Sequence, residues 1–148
     1  MKTTLKTWHK IALTVAAFVA AVICFMIRLP STFSHMDKEM HSLFYFLAAA
    51  FLNILFAKRN LVIHAVIFAA LYVFGVAIEY AQQYSNTLLH KKIHGNADPE
   101  DMQANLQGLV IFSVLWLAYV IVAAVFRLLK PKSANDLPAH GETGKGQP

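Results

Sequence analysis

The sequence predicts an all-α fold, an integral membrane bundle of four transmembrane helices, from three observations. Hydrophobic residues make up 57% of the 148 positions and charged residues only 14%, against roughly 45–50% and about 25% in ordinary soluble chains. Four apolar runs, none containing Asp, Glu, Lys or Arg, divide the chain. Within them Leu, Ala and Phe follow no period-two alternation. Hydrocarbon offers backbone groups no partner but the chain itself, so such runs form helices and not barrel strands. This composition excludes a disordered chain, a disulfide-stapled domain and a soluble enzyme with a polar coat.

The first run is Ile11–Ile27, between Lys10 and Arg28. Lys2, Lys6 and Lys10 ahead of it resemble the charged start of a signal peptide. No small-x-small cleavage site closes the run at Met26-Ile27-Arg28-Leu29-Pro30, so the reading is an uncleaved anchor. The second run, Leu43–Ala57, stops at Lys58-Arg59 and is short for a bilayer that needs about 20 residues. Its helix therefore starts earlier, near Lys38, and draws His41 to the membrane boundary. The third, Leu61–Ile78, ends at Glu79, and the fourth, Leu106–Phe126, ends at Arg127. The expected organisation is a cytoplasmic N-terminus (1–10), a transmembrane domain (11–130) and a polar, disordered cytoplasmic tail (131–148).

Orientation follows from the basic residues in the connections. Nine (Lys2, Lys6, Lys10, Lys58, Arg59, Arg127, Lys130, Lys132 and Lys145) fall on one side, and four (Arg28, Lys38, Lys91 and Lys92) on the other. The chain is thus expected in the cell membrane, multi-pass, with both termini cytoplasmic. The outer connections, 28–42 and 79–105, then hold six of the eight acidic residues: Asp37, Glu39, Glu79, Asp98, Glu100 and Asp101. The net charge of +5 does not point to nucleic acid, because the basic residues cap apolar runs and form no face interleaved with aromatics. The single cysteine, Cys24, lies in an apolar run and forms no internal disulfide.

Three polar clusters occupy the outer helix ends. In the first, Asp37 and His41 are four apart and share a helix face. In the second, Gly75, Glu79 and Gln82 recur at i, i+4, i+7. In the third, Asp101, Asn105 and Gly108 repeat that spacing, on a face that Gly75 and Gly108 allow to approach a neighbouring helix closely. Asp98-Pro99-Glu100-Asp101 also forms a strong helix start, with Asp98 at the N-cap and acids in the first turn. Inside the spans, Asn53 and His64 are read as interhelical hydrogen-bonding residues, and Trp116 as a packing or lipid contact. Trp8, Tyr80 and Tyr84 suit membrane-interface anchors.

Read together as Asp37-Lys38-x-x-His41, Gly75-x-x-x-Glu79-x-x-Gln82 and Asp101-x-x-x-Asn105-x-x-Gly108, the clusters resemble the VanZ-like family of small membrane proteins. The resemblance covers about residues 30–130. It implies an outward-facing polar site and a link, through the family's namesake, to glycopeptide resistance. One departure stands out: members often carry an Arg ahead of the acidic segment, where this chain has His94-Gly95-Asn96.

Three functions stay open on these residues. In the first, the polar network binds or modulates an envelope component such as a lipid-linked cell-wall precursor or a glycopeptide. Asp37, Lys38, Gln82, Asp98 and Asn105 would then be binding residues, with membrane lipids as surroundings. In the second, a membrane-embedded enzyme acts on an envelope lipid. Glu79 or Asp101 would be the base or metal ligand and His41 the proton donor, because an imidazole with carboxylates supplies general acid–base or metal-assisted chemistry. The third is proton-coupled transport through Glu79 and His41, which four unbroken spans without a polar stripe disfavour. No cofactor and no oligomeric state is legible in the residues.

Overall fold

A computed structural model describes residues 6–26, 36–90 and 98–129. Four helices follow one another: α1 (Thr7–Met26), α2 (Asp37–Leu52), α3 (Leu61–Leu88) and α4 (Pro99–Leu129). A π-helical turn, Asn53–Ala57, prolongs α2. No strand occurs among the described residues. Three of these elements are long and apolar enough to cross a membrane: Lys38–Ala57 with 20 residues, Leu61–Leu88 with 28 and Pro99–Leu129 with 31. At 1.5 Å per residue even the shortest reaches about 30 Å, the thickness of the hydrocarbon layer. The described apolar part of α1, Thr7–Ile23, is shorter than these.

Packing follows from which residues recur on one face. On α2 the buried positions are His41, Tyr45, Ala49 and Leu52, a spacing of three to four residues that forms one stripe. On α3 they are His64, Ile67, Leu71, Gly75, Ile78 and Glu79. On α4 they are Ala104, Asn105, Gly108, Leu109, Phe112 and Trp116. The three stripes meet in a core built on Tyr45, Ala49, Leu71, Leu109, Phe112 and Trp116. The opposite faces carry exposed Leu47, Val66, Val73, Val114, Leu115 and Ile121. A surface this apolar suits acyl chains, not water.

The most extensive helix pair is α2 with α4, and α1 lies at the flank against α3. Phe18 of α1 meets Phe74 edge-on, with ring centroids 4.8 Å apart. Lys10 donates its Nζ to the Leu55 carbonyl at 2.7 Å, inside the π turn. That turn ends where the Lys58 N–H bonds to Asn53 O at 3.0 Å and Lys58 takes φ 52°. Asn60 then caps α3, its Oδ1 accepting from the Val62 and Ile63 N–H groups at 2.9 and 3.1 Å.

The helix that contains the second run starts at Asp37, as its short apolar length predicts. Two other bounds differ from the sequence expectation. α3 continues ten residues beyond Ile78, and α4 begins seven residues before Leu106. An apolar run marks the hydrocarbon layer and not the helix. Residues 79–88 contain neither Gly nor Pro, so the hydrogen-bond ladder simply continues. The expected outer connection 79–105 therefore shrinks to the residues between Leu88 and Pro99, and Glu79 sits within a helix instead of at its end. The Asp37 side chain, Cys24, Arg28, Lys91, Lys92, His94 and the tail 131–148 lie outside the described residues and side chains.

Candidate functional site

At the end of the bundle where α2 and α4 begin, three of the sequence-selected residues converge. His41 stands in the second turn of α2, Glu79 on the buried stripe of α3 and Asp101 in the first turn of α4. One ligating atom from each lies within 4.8 Å of the other two. His41 is 6% exposed and Glu79 2% exposed. Asp101 is half-buried at the mouth.

The surrounding bonds orient these groups. His41 Nδ1 lies 2.9 Å from Asn105 Oδ1. A carbonyl oxygen only accepts, so Nδ1 carries the proton and donates it. Glu79 Oε2 accepts from the Asp98 backbone N–H at 3.3 Å. Glu79 Oε1 is buried with no hydrogen-bond partner. An unsatisfied buried acceptor costs about 1–3 kcal/mol, more when ionised.

Close helix approach makes the site possible. A Cβ on Gly75 would lie 2.9 Å from Tyr45 Oη and 3.0 Å from Asn105 Nδ2. A Cβ on Gly108 would overlap the Ser42 carbonyl oxygen and lie 2.9 Å from Ser42 C. Both glycines let neighbours occupy the space of a side chain, as their place in the polar motifs predicts.

The other sequence-selected residues play different structural parts. Asp98 caps α4, its Oδ1 accepting from the Glu100 N–H at 2.8 Å, the arrangement its N-cap position predicts. Lys38 is exposed and forms an ion pair with Glu100 on the surface, outside the buried cluster. Gln82 is half-buried one turn beyond Glu79 on α3. No motif of the sequence marks Tyr45, yet it is fully buried and its hydroxyl lies beside Gly75, as does the Asn105 amide. The available signal was its position four residues after His41, on the same face.

A second polar pair lies deeper, toward the other end of the bundle. His64 Nδ1 donates to Asn53 Oδ1 at 2.8 Å, and Asn53 Nδ2 donates to Ala49 O at 2.8 Å. The His64 ring stacks on Trp116, with centroids 4.2 Å apart and planes 13° from parallel. This satisfies the expectation of interhelical hydrogen bonding and fixes Trp116 as a core residue.

Beside the His41 cluster, a groove of about 500 Å³ runs between α2 and α4. Lys38 and Gln107 are among its polar lining residues, and Phe46 and Ile111 supply apolar walls. A smaller apolar recess of about 310 Å³ lies between α1, α2 and α3, around Phe18, Phe51 and Phe74. No protein-family model, curated protein or solved structure matches the chain.

Proposed function

We propose that the chain is a VanZ-like, multi-pass protein of the cell membrane whose polar site faces outward and binds or modulates an envelope component. The ligand class is an amphiphile of the envelope, such as a lipid-linked cell-wall precursor, or a glycopeptide that targets one. One observation carries the reading. The three motifs of the resemblance, far apart in sequence, supply His41, Glu79, Asp101 and Asn105 to one place. A fold that merely needed bundle glue would not require two carboxylates there, since ionisable groups near a span usually mark function. The neighbouring groove adds support: polar lining at Lys38, Glu39 and Gln107 together with apolar walls matches a polar head joined to an acyl chain.

A second reading is a membrane-embedded enzyme acting on an envelope lipid by carboxylate and imidazole acid–base or metal-assisted chemistry. What favours it is a His and a carboxylate close enough to exchange a proton directly or through one water. In that case His41, Glu79 and Asp101 are catalytic residues, and Asn105 positions the imidazole. The experiment compares glycopeptide and detergent sensitivity of cells producing wild type, Glu79→Gln or Asp101→Asn, with membrane abundance measured by blot. A binding role carried by hydrogen bonds alone predicts that Glu79→Gln, which keeps hydrogen-bonding capacity, retains much of the phenotype. An enzymatic role predicts its loss at normal abundance. No phenotype for the wild type refutes the envelope reading altogether.

A further inference from the structure

We infer that His41, Glu79 and Asp101 bind a single first-row divalent cation, Mn²⁺ or Zn²⁺, at the end of the bundle. This deepens the proposed function and rests on the same cluster, but not on any envelope ligand. The donor set is one imidazole and two carboxylates, each delivered by a different helix. Metal–ligand bonds of about 2.0–2.2 Å place atoms on one ion no more than about 4.4 Å apart. The observed limit of 4.8 Å is closed by small rotations of the carboxylates.

Two further features point to a ligand and not to a mere acidic patch. Glu79 is 98% buried by its 2% exposure, and its two oxygens are unequal. Oε2 takes the Asp98 N–H, whereas Oε1 has no hydrogen-bond partner. A buried carboxylate with one oxygen fixed by backbone and the other lacking a donor is set up for a cation. His41 complements it. With Nδ1 donating to Asn105 Oδ1 at 2.9 Å, Nε2 is the ring nitrogen placed to ligate, the arrangement in which metal-ligating histidines are held by an outer carbonyl. Asn105 is thus a positioning residue for the ligand.

The choice of ion follows from the donors. Ca²⁺ and Mg²⁺ take oxygen ligands alone, the imidazole favours Zn²⁺, and two carboxylates with open water positions also suit Mn²⁺. Three protein ligands leave coordination positions open for a water or an oxyanion at the mouth, where Asp101 is half-exposed. A headgroup phosphate or carboxylate would bind there through the ion.

The test uses the purified full chain in detergent micelles, stripped with chelator and dialysed against Mn²⁺, Zn²⁺, Mg²⁺ or Ca²⁺ without lipid ligand. The expected result is one Mn²⁺ or Zn²⁺ per chain, with weaker Mg²⁺ and Ca²⁺ uptake. Asp101→Asn and Glu79→Gln should each weaken binding by about tenfold or more, and Asn105→Ala by about tenfold through loss of imidazole positioning. His9→Gln, at an exposed histidine of α1, should change nothing. Far-UV circular dichroism checks folding; if Glu79→Gln unfolds, the half-exposed Asp101→Asn decides. No stoichiometric uptake by wild type at about 1 mM metal overturns the proposal, as does a folded Asp101→Asn variant that binds like wild type. Metal binding without a cell phenotype would refute the envelope reading alone, and a phenotype without metal binding would refute this inference alone.

Discussion

Replacing Gly108 with Ala probes how closely α2 and α4 are held. A methyl there overlaps the Ser42 carbonyl oxygen and comes within 2.9 Å of Ser42 C and 3.1 Å of Phe46 N. All three are backbone atoms of α2, so no rotamer change relieves the clash. Alanine has about 1 kcal/mol better helix propensity than glycine, which favours the variant. Against it, the helices must separate by about 1 Å, and a gap of that size forfeits a quarter to a half of the dispersion attraction at each loosened contact. Overpacking of this kind costs roughly 1–3 kcal/mol, and it falls on the most extensive helix pair. The same separation stretches the 2.9 Å bond between His41 and Asn105, worth about 1 kcal/mol. The net expectation is a loss of about 1–3 kcal/mol. Gly75→Ala is the internal comparison. Its methyl meets Tyr45 Oη at 2.9 Å and Asn105 Nδ2 at 3.0 Å, the ends of side chains that can yield. Thermal unfolding of each purified variant in one detergent, followed by circular dichroism, should place Gly108→Ala roughly 3–10 °C below wild type and Gly75→Ala between them. A Gly108→Ala protein that melts at or above wild type would refute the close approach of α2 and α4.

The inner polar pair gives a coupling prediction. Asn53→Leu and His64→Leu each strand a buried partner and should cost about 1–3 kcal/mol, while the double variant should cost less than their sum; a fully additive thermal-melt cycle would show the pair uncoupled. The Lys38–Glu100 ion pair is 54% and 66% exposed on its two side chains, so Lys38→Gln should change stability by less than about 1 kcal/mol, and a larger loss in the same melt would mean the pair is shielded. For topology, an impermeant thiol reagent applied outside intact cells should label Ser85→Cys and spare Ser133→Cys in a Cys24→Ala background, and the reverse pattern would turn the polar site inward.

Much of this arrangement was legible in the residues because membrane helices leave few alternatives. The boundary of α2 at Asp37 followed from the shortness of Leu43–Ala57, and the glycine approaches followed from the helical spacing of Gly75 and Gly108 with Glu79 and Asn105. The ends of α3 and α4 were not legible from hydropathy, since a helix persists past the bilayer wherever nothing breaks it. The meeting of His41 with Asn105 depends on the rotation of α2 against α4, which no spacing within one helix encodes. Tyr45 is not legible for the opposite reason: one tyrosine in an aromatic-rich run carries no mark of its own, and only the space beside Gly75 sets its hydroxyl apart. Lys38 belongs to a motif yet reaches the surface, because its long side chain carries its charge away from the apolar stem's surroundings.

The π turn at Asn53–Ala57 holds one residue more than an α-helical ladder over the same stretch requires. That surplus is slack in chain length, located about 18 Å along the helix axis from His41. Deleting the exposed Ile54 would let the segment relax to ordinary α-helical bonding while every side chain before it keeps its bearing. A deletion between His41 and Leu52 has no such reserve, and would swing one part of the buried stripe by about 100° relative to the other. The chain can therefore tolerate a change of length near the turn into α3, and its register is fixed where α2 faces α4.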